Sequence, residues 1–407
     1  MALSLLGLFI IGVIINSNTE QEQSNTEPEQ SNTKQEQKKQ YEKALATYND
    51  FITRFGNSQD PKIQEQVAKA LVNKEIILDK LHRYDEALAT YNDFITRFGN
   101  SQNPKIQELL ANALFNKGVD LDKLHRYDEA LATYNEVITR FGNSQNPTMQ
   151  EAVARALFNK GVDLGRLHRY DDAVAKFDEF IMLFKNSQNP KIQEQVAKAL
   201  FNMGCELDKL HRYDEAIDTY NEVITLFGNS QNPTMQEAVA RALVNKEVSL
   251  NNGDYNPDYR VNEGLATVND LITRFSNSQD PKIQEQVIKA LFNKGKYLVD
   301  LNRYDDAIAT FDEVITRLGN SQDPKIQEQV IKALFSKETI LENLNRDDKA
   351  IAIVNDLITR FGNSQDPKIQ EQMIKALFNM EDIFTNLHRD DDAIATLDDL
   401  ITLFGNS

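Results

Sequence analysis

GVDLDKLHRYDEALATYNEVITRFGNS, residues 118–144, is the stretch that decides the fold. Its apolar residues recur at helical spacing: Tyr127, Ala130, Leu131, Tyr134, Val137, Ile138 and Phe141. Apolar positions three and four residues apart line one face of an α-helix. Gly142 follows, and glycine is typical of a helix C-terminus. The stretch therefore predicts an amphipathic helix that ends at about residue 141.

The end of this helix recurs along the chain at a fixed period. The phenylalanine of Phe-Gly-Asn-Ser, or a leucine in its place, stands at positions 55, 98, 141, 184, 227, 275, 318, 361 and 404. Seven of the eight intervals are 43 residues and one is 48. Such self-similarity is typical of solenoid proteins, in which each unit buries its apolar face against the next one.

A second helix signal precedes the first in every unit. Asp or Asn is followed by proline at positions 61, 104, 147, 190, 233, 281, 324 and 367. The Asx side chain can cap free amides, and proline fits the first helical turn. In the third unit this start leads into PTMQEAVARALFNKGVDLGRL, residues 147–167, and a Leu-His-Arg break separates the two helices.

These signals predict an all-α protein, a right-handed α-solenoid of tandem helix-turn-helix repeats whose first helices line the inner face. We expect a half repeat of one helix at 41–56 and then eight helix pairs to residue 407, about seventeen helices in all. The one longer interval predicts a loop insertion near residues 251–260.

Residues Gly118 to Phe141 resemble the tetratricopeptide repeat. Gly118 matches the small residue of the family's first helix, Tyr127 and Tyr134 match its two aromatic positions, and Ala130 matches its alanine. The resemblance recurs over residues 41–407 and implies a non-catalytic scaffold for protein–protein interaction. The unit departs from the family in being 43 residues long, against about 34, and in these glutamates that replace the small residue: Glu75, Glu247, Glu338 and Glu381.

The N-terminal segment is distinct from the repeats. Residues 1–15 are almost wholly apolar, yet shorter than the roughly 20 residues that span a bilayer, and they lack the basic start and cleavage site of a signal peptide. An uncleaved or truncated membrane anchor, a signal peptide and a buried tail all stay open. Residues 16–40 are polar and predict a disordered linker. Their acidic character favours a membrane-anchored or exported protein with an extracytoplasmic repeat domain, with a cytoplasmic location as the alternative.

Composition and motifs exclude several classes of function. The net charge of -17 repels a nucleic-acid backbone. Cys205 is the only cysteine, which excludes an intrachain disulfide and suits a cytoplasm or a bacterial envelope equally. The histidines fall in the Leu-His-Arg break, where Asn302 and Asn345 replace them, so they are read as turn residues and not as metal ligands. With no catalytic motif in the sequence, we expect no enzyme activity, no metal and no cofactor.

The first helices carry a row of asparagines, with a serine in the seventh unit. A nearly all-basic row lies four residues earlier and includes Lys69, Arg155 and Lys198. An asparagine amide can donate and accept, so such a row can hold the backbone of an extended peptide. The resemblance implies the same, because in tetratricopeptide superhelices matching asparagines line the groove and basic residues clamp a carboxylate. Alternatively, the asparagines are copied by duplication or bond neighbouring units.

A further basic row includes Lys123 and Arg166, but its last three members are Asp300, Asn343 and Asn386. We therefore expect an extended, acidic peptide of another protein to bind mainly in the first four units. The predicted peptide-binding residues are Asn73, Asn116, Asn159, Asn202, Asn245, Asn293, Lys69, Arg155, Lys198, Lys123 and Arg166. The competing function is an architectural, self-assembling repeat protein without a peptide ligand.

The final helix supports that second function. Its apolar stripe consists of Ala393, Ile394, Leu397, Leu400, Ile401 and Phe404. Solenoid ends need polar outer faces, since the last unit has no neighbour to cover it. The stripe predicts a homo-oligomer formed through this helix, or a longer array of which this chain is a part.

Overall fold

The computed structural model describes residues 27–319, 321 and 323–404. In these residues the chain forms seventeen α-helices and no strand. The first, α1 (Glu27–Phe55), stands alone, and eight helix pairs follow it. The predicted anchor, residues 1–15, and residues 16–26 of the predicted linker lie outside the described part of the chain.

Each pair has a long first helix and, with one exception, a fifteen-residue second helix. The first helices are α2 (Pro61–Lys80), α4 (Pro104–Lys123), α6 (Pro147–Arg166), α8 (Pro190–Lys209), α10 (Pro233–Asn252), α12 (Pro281–Asp300), α14 (Pro324–Asn343) and α16 (Pro367–Asn386). The second helices are α3 (Tyr84–Phe98), α5 (Tyr127–Phe141), α7 (Tyr170–Phe184), α9 (Tyr213–Phe227), α11 (Pro257–Phe275), α13 (Tyr304–Leu318), α15 (Asp347–Phe361) and α17 (Asp390–Phe404). The predicted all-α fold of tandem helix pairs is confirmed.

Asx side chains start the first helices as predicted. In α2 the Asp60 carboxylate accepts from the backbone N–H of Lys62 at 2.8 Å, and in α4 the Asn103 amide oxygen accepts from that of Lys105 at 3.0 Å. Proline occupies the next position in each case, where its missing N–H costs nothing. A cap of this kind stabilises a helix by about 1 kcal/mol.

In seven of the eight pairs that the structure describes, the break between the two helices is a left-handed helix end; in the fifth pair Gly253 is extended instead, with φ of -75°. After α2, His82 has φ of 55°. Its N–H bonds to the carbonyl of Asp79, and the N–H of Arg83 reaches back to Leu78, which together form a Schellman motif. The His82 ring also pairs with the Tyr84 hydroxyl, Nδ1 to oxygen 2.7 Å. Histidine and asparagine tolerate positive φ better than most residues, which explains why Asn302 takes the same place.

Three local features differ from the sequence prediction. Helix α1 begins at Glu27 and so includes residues 27–40, which were assigned to a disordered linker. The insertion near 251–260 does not form an extended loop. Most of its residues lengthen α11 to 19 residues, and the Asn256 side chain caps this helix by accepting from the backbone N–H of Asp258. Gly142 follows α5 in a right-handed conformation with φ of -58°. Lys185 occupies the equivalent place after α7, so the backbone there does not require glycine.

The chain forms two compact units, one up to Leu210 and one from His211 onward. In the first, each helix packs against the next, and successive first helices also touch: α2 with α4, α4 with α6, and α6 with α8. Leu114, Tyr134 and Leu157 are buried between them. In the second unit α10 contacts α12 and α14 contacts α16. None of the helices in the described residues is long and apolar enough to cross a membrane.

Candidate binding face on the first helices

We call the surface that carries the predicted asparagine and basic rows the first-helix face. The asparagine row lies along it, and its seven asparagines and one serine are all half-buried. The row consists of Asn73, Asn116, Asn159, Asn202, Asn245, Asn293, Ser336 and Asn379. The α-helical repeat places them at the same position of every first helix, thirteen residues into it, beside the preceding pair.

Several of these amides bond the neighbouring pair. Asn159 Nδ2 donates to the Tyr134 hydroxyl at 3.3 Å, and Asn245 Nδ2 donates to the Tyr220 hydroxyl at 3.3 Å. Farther along, Asn293 Nδ2 donates to Glu247 at 2.9 Å. The alternative of hydrogen bonds between units therefore applies to these members of the row.

Two members of the row are not engaged in this way. The side chains of Asn116 and Asn202 make no hydrogen bond to any residue that the structure describes. Asn159 uses its donor on Tyr134, which leaves the amide oxygen able to accept from a ligand. The groups that can hold a peptide backbone therefore lie mainly on α4, α6 and α8.

The first basic row is largely neutralised by a parallel row of glutamates. Lys69 pairs with Glu65 at 3.1 Å, four residues earlier on the same helix. The same pair recurs in later units: Lys289–Glu285, Lys332–Glu328 and Lys375–Glu371. The hydrogen bond from Lys69 lowers the pKa of Glu65, which keeps this pair charged. Lys69 is therefore less available to a ligand than its exposure suggests.

Arg155 and Lys198 are different, because neither forms an ion pair within the described residues. The Arg155 guanidinium lies over the Phe115 ring, 3.9 Å from its centre. Arg155 is half-buried, and this burial lowers its pKa. Desolvating a cation is unfavourable, and the ring together with the longer-range attraction of Glu151 compensates only in part. Lys198 is exposed at the same position of the next first helix.

The second basic row is used within the protein. Lys123 forms ion pairs with Asp79 on α2 and, at 3.2 Å, with Asp120 on its own helix. Arg166 repeats the arrangement one unit later, contacting Asp122 on α4 and, at 3.1 Å, Asp163. The sequence alone did not place these carboxylates beside the cations. The predicted roles of Lys123 and Arg166 compete with these internal pairs.

The sequence shows where glutamates replace the family's small residue, but it does not predict how their side chains pack against the second helix. Where the residue is Gly161, an added Cβ would lie 2.7 Å from the Phe177 ring, so the aromatic side chain needs the glycine. Where it is Glu338, the residue at the position of Phe177 is Val354. Both Glu338 and Val354 are fully buried. This match of sizes is not general, because Glu75 has Tyr91 at the same position and both are buried.

Among the described residues, no three His, Cys, Asp or Glu side chains come together in a way that could hold an ion. The histidines at the helix breaks bond tyrosines instead, as His125 does with Tyr127 at 2.8 Å.

The comparisons with solved structures concern the fold. A tetratricopeptide repeat protein from Parabacteroides merdae matches with 14% identity and a TM-score of 0.39, over 77% of this chain and 99% of that one. The C-terminal part of a tetratricopeptide repeat protein from Cytophaga hutchinsonii matches with 15% identity and a TM-score of 0.46, over 72% and 96%. The apo form of RapI matches with 12% identity and a TM-score of 0.46, over 84% and 95%. No curated protein matches the sequence.

The family comparison is more specific. Models described as tetratricopeptide repeat match residues 115–190, 197–229 and 288–317. These segments contain helix pairs of the 43-residue unit on both sides of the longer interval. Tetratricopeptide repeats generally serve as non-catalytic scaffolds for protein interaction. These segments of the chain are therefore tetratricopeptide repeats, here in units of 43 residues.

Proposed function

We propose that this protein is a non-catalytic scaffold that binds an extended, acidic segment of a partner protein on the first-helix face of α4, α6 and α8. The observation that carries the proposal is Arg155, a half-buried cation that makes no direct ion pair among the described residues and has only the longer-range attraction of Glu151 on its own helix. A carboxylate from a ligand would supply the missing charge through charge-assisted hydrogen bonds. The Phe115 ring holds the guanidinium plane in place for it.

Neighbouring groups extend the site along a peptide. Asn116 follows Phe115 directly, and Asn202 occupies the same position two helix pairs later. Their unengaged amides can each donate to and accept from a peptide backbone. Lys198 offers an exposed charge for a second carboxylate. The protein as a whole is acidic and repels an acidic segment. These cations therefore make this part of the face the preferred place for such a segment to bind.

A peptide-binding experiment tests this function. The probe is a fluorescein-labelled octapeptide of alternating glutamate and alanine with a free C-terminus, titrated by anisotropy at low salt. Arg155→Ala should weaken binding about tenfold or more, as loss of a charge-assisted pair does. Lys332→Ala is the matched control, because Lys332 has the same position but its own partner, Glu328, 2.7 Å away. Equal binding by the parent and Arg155→Ala would reject the proposal.

A second candidate, self-association, rests on exposed apolar residues of α17. Ile394 is 58% exposed and Ile401 is 64% exposed. The corresponding residues of α15, Ile351 and Ile358, pack against a buried cluster instead. Exposed apolar patches of this kind commonly mark interfaces. The side chains of Leu400 and Phe404, which belong to the same predicted stripe, lie outside the described residues.

Light scattering separates the two candidates. We expect Ile401→Lys to lower the mass of a self-associating parent, whereas Met182→Lys should leave it unchanged. Met182 is a suitable control because it is equally apolar and 69% exposed on α7. A parent that is monomeric at micromolar concentration rejects self-association and leaves the scaffold function unaffected.

We also propose that residues 1–15 attach the protein to a membrane or direct its export, since they are almost wholly apolar. Fractionation of cells that express the full chain, compared with a variant lacking residues 1–15, tests this. The full chain should be recovered with membranes or outside the cytoplasm, and the shortened variant should not. Identical distribution of both proteins would reject the proposal.

A further inference from the structure

Two neighbouring junctions between first helices contain paired carboxyl groups. At the first, Asp79 of α2 lies within hydrogen-bonding reach of Asp120 of α4. At the second, Asp122 of α4 lies in the same way beside Asp163 of α6. A single cation touches both acids of each pair: Lys123 at the first junction and Arg166 at the second.

The inner acid of each pair is removed from water. Asp120 is 2% exposed and Asp163 is 1% exposed. In both residues Oδ2 is buried and makes no hydrogen bond. Behind Asp120, Glu75 is fully buried, and neither of its carboxylate oxygens has a partner. Two ionised acids with one cation leave an excess negative charge where solvent cannot screen it, and a bound proton removes that excess.

We propose that Asp120 and Asp163 are proton-binding latches, which tighten the junctions between the first three helix pairs in acid and loosen them as the pH rises through neutrality. The device is independent of the proposed peptide binding. It depends on Lys123 and Arg166, which form ion pairs at these junctions. It does not involve Arg155, the cation of the proposed peptide site.

The groups that face the two latches contribute no second cation. Those at the first junction are Glu75 and Asp79 on α2, Tyr84 and Tyr91 on α3, and Lys123 on α4. Those at the second are Asp122 on α4, Tyr127 and Tyr134 on α5, and Arg166 on α6. Tyr91 and Tyr134 stay neutral near pH 7, since burial raises the pKa of both.

The titration behaviour agrees with this geometry. Burial, with the nearby Asp79 carboxylate, raises the pKa of Asp120 to about 6. Burial, with Asp122, raises the pKa of Asp163 to about 7. Folded pKa values above the unfolded value of 3.8 mean that the folded state binds more protons. The stability from these groups is therefore fully present below about pH 4 and is lost as the pH rises to about 7.

The next junction provides an internal contrast. Glu206 occupies the position of Asp120 and Asp163, and it pairs with Lys209 at 2.9 Å. The place of the second acid is taken by Gly165, where an added Cβ would lie 2.7 Å from Glu206 Oε1. One acid and one cation balance at this junction. The comparison isolates the second carboxyl as the cause of proton binding.

Thermal melts of the full chain between about pH 5 and pH 8 test the latches. Asp120→Asn combined with Asp163→Asn keeps the shape of both side chains but removes their charge. This variant should gain melting temperature relative to the parent as the pH rises from about 5 to about 8. The gain corresponds to roughly a thousandfold in the folding equilibrium, because loss of the proton above about pH 5 costs about tenfold at Asp120 and about a hundredfold at Asp163. Glu206→Gln is the matched control, and its difference from the parent should not vary with pH in this range. A constant difference for the double variant would overturn the proposal.

A measurement on the parent covers the case in which the double variant does not fold. Aspartate labelled with ¹³C at Cγ reports each carboxyl group by NMR. We expect two aspartates with titration midpoints between about pH 5.5 and pH 7.5, and their resonances should be absent from single Asn variants at positions 120 and 163. If every aspartate titrates below about pH 5, the latches do not exist.

Discussion

The guanidinium of Arg155 on α6 lies 3.9 Å from the centre of the Phe115 ring on α4. The contact joins two successive first helices, and Arg155 makes no direct ion pair within the described residues, although Glu151 four residues earlier attracts it at longer range. In later units the same position carries a lysine paired with the glutamate four residues before it, as in Lys332 and Glu328. One unit of the array therefore keeps a half-buried cation open to a ligand.

This relationship predicts that Arg155→Met stabilises the free protein. The methionine side chain can fill the same space on Phe115, and it removes a partly desolvated charge that forms no direct ion pair. Replacing such charges by apolar residues is commonly neutral or favourable, and we expect a gain of about 1 kcal/mol. Chemical denaturation at pH 7 measures the gain, and a loss of stability would show that the stacked guanidinium is structural.

The helix break makes a prediction about His125, which has φ of 57°. His125→Asn should be nearly neutral, since Asn302 holds this conformation and accepts from the Tyr304 hydroxyl at 2.7 Å. His125→Val should cost about 1–2 kcal/mol, because a β-branched residue is strained at positive φ. The two melting temperatures provide the measurement. If His125→Val melts with the parent, the left-handed turn does not constrain this residue.

Much of the fold could be predicted because its signals are local. The Asx-Pro pairs marked the starts of the first helices, and Asp60 caps α2 as expected. The same signal, Asn256 followed by Pro257, starts α11, but the five residues added to this unit predict a loop when the unit is aligned with the others. Residues 27–40 of α1 lack an apolar stripe, so no periodicity indicated a helix there. Such residues can continue a helix that is already nucleated by the packed segment after them.

The candidate site was less predictable because its partners are distant in sequence. The positions of the asparagines followed from the repeat, but the Asn159 partner, Tyr134, lies on the preceding helix. Lys123 likewise meets Asp79 only when α2 and α4 pack together. The neutralisation of Lys69 could have been predicted, since Glu65 stands four residues earlier on the same helix.

The asparagine row predicts a separation of binding from stability. Asn116→Ala with Asn202→Ala should weaken capture of the acidic octapeptide at least about fivefold, since both amides are unengaged. The stability of this variant should stay within about 0.5 kcal/mol of the parent. By contrast, Leu157→Ala should cost about 2–5 kcal/mol, since Leu157 is 1% exposed. Anisotropy and urea unfolding give the two readouts. Unchanged binding would mean that these asparagines are copied features only.

The last prediction concerns the matched sizes of Gly161 and Phe177. Gly161→Glu should destabilise by about 3 kcal/mol, because the new side chain meets a ring that leaves only 2.7 Å for a Cβ. Phe177→Val alone should cost a similar amount through the cavity it leaves, since Phe177 is fully buried.

Together, the two changes reproduce the Glu338 and Val354 arrangement of a later pair. There Asn379 donates to the buried Glu338 carboxylate at 3.4 Å. Asn202 stands at the equivalent position of α8 with an unengaged amide, so it can donate to the introduced carboxylate. We therefore expect the double variant to be more stable than the sum of the single losses, by about 1–3 kcal/mol. A double-mutant cycle from urea unfolding measures this coupling. Additive losses would show that side-chain size at these two positions is not matched.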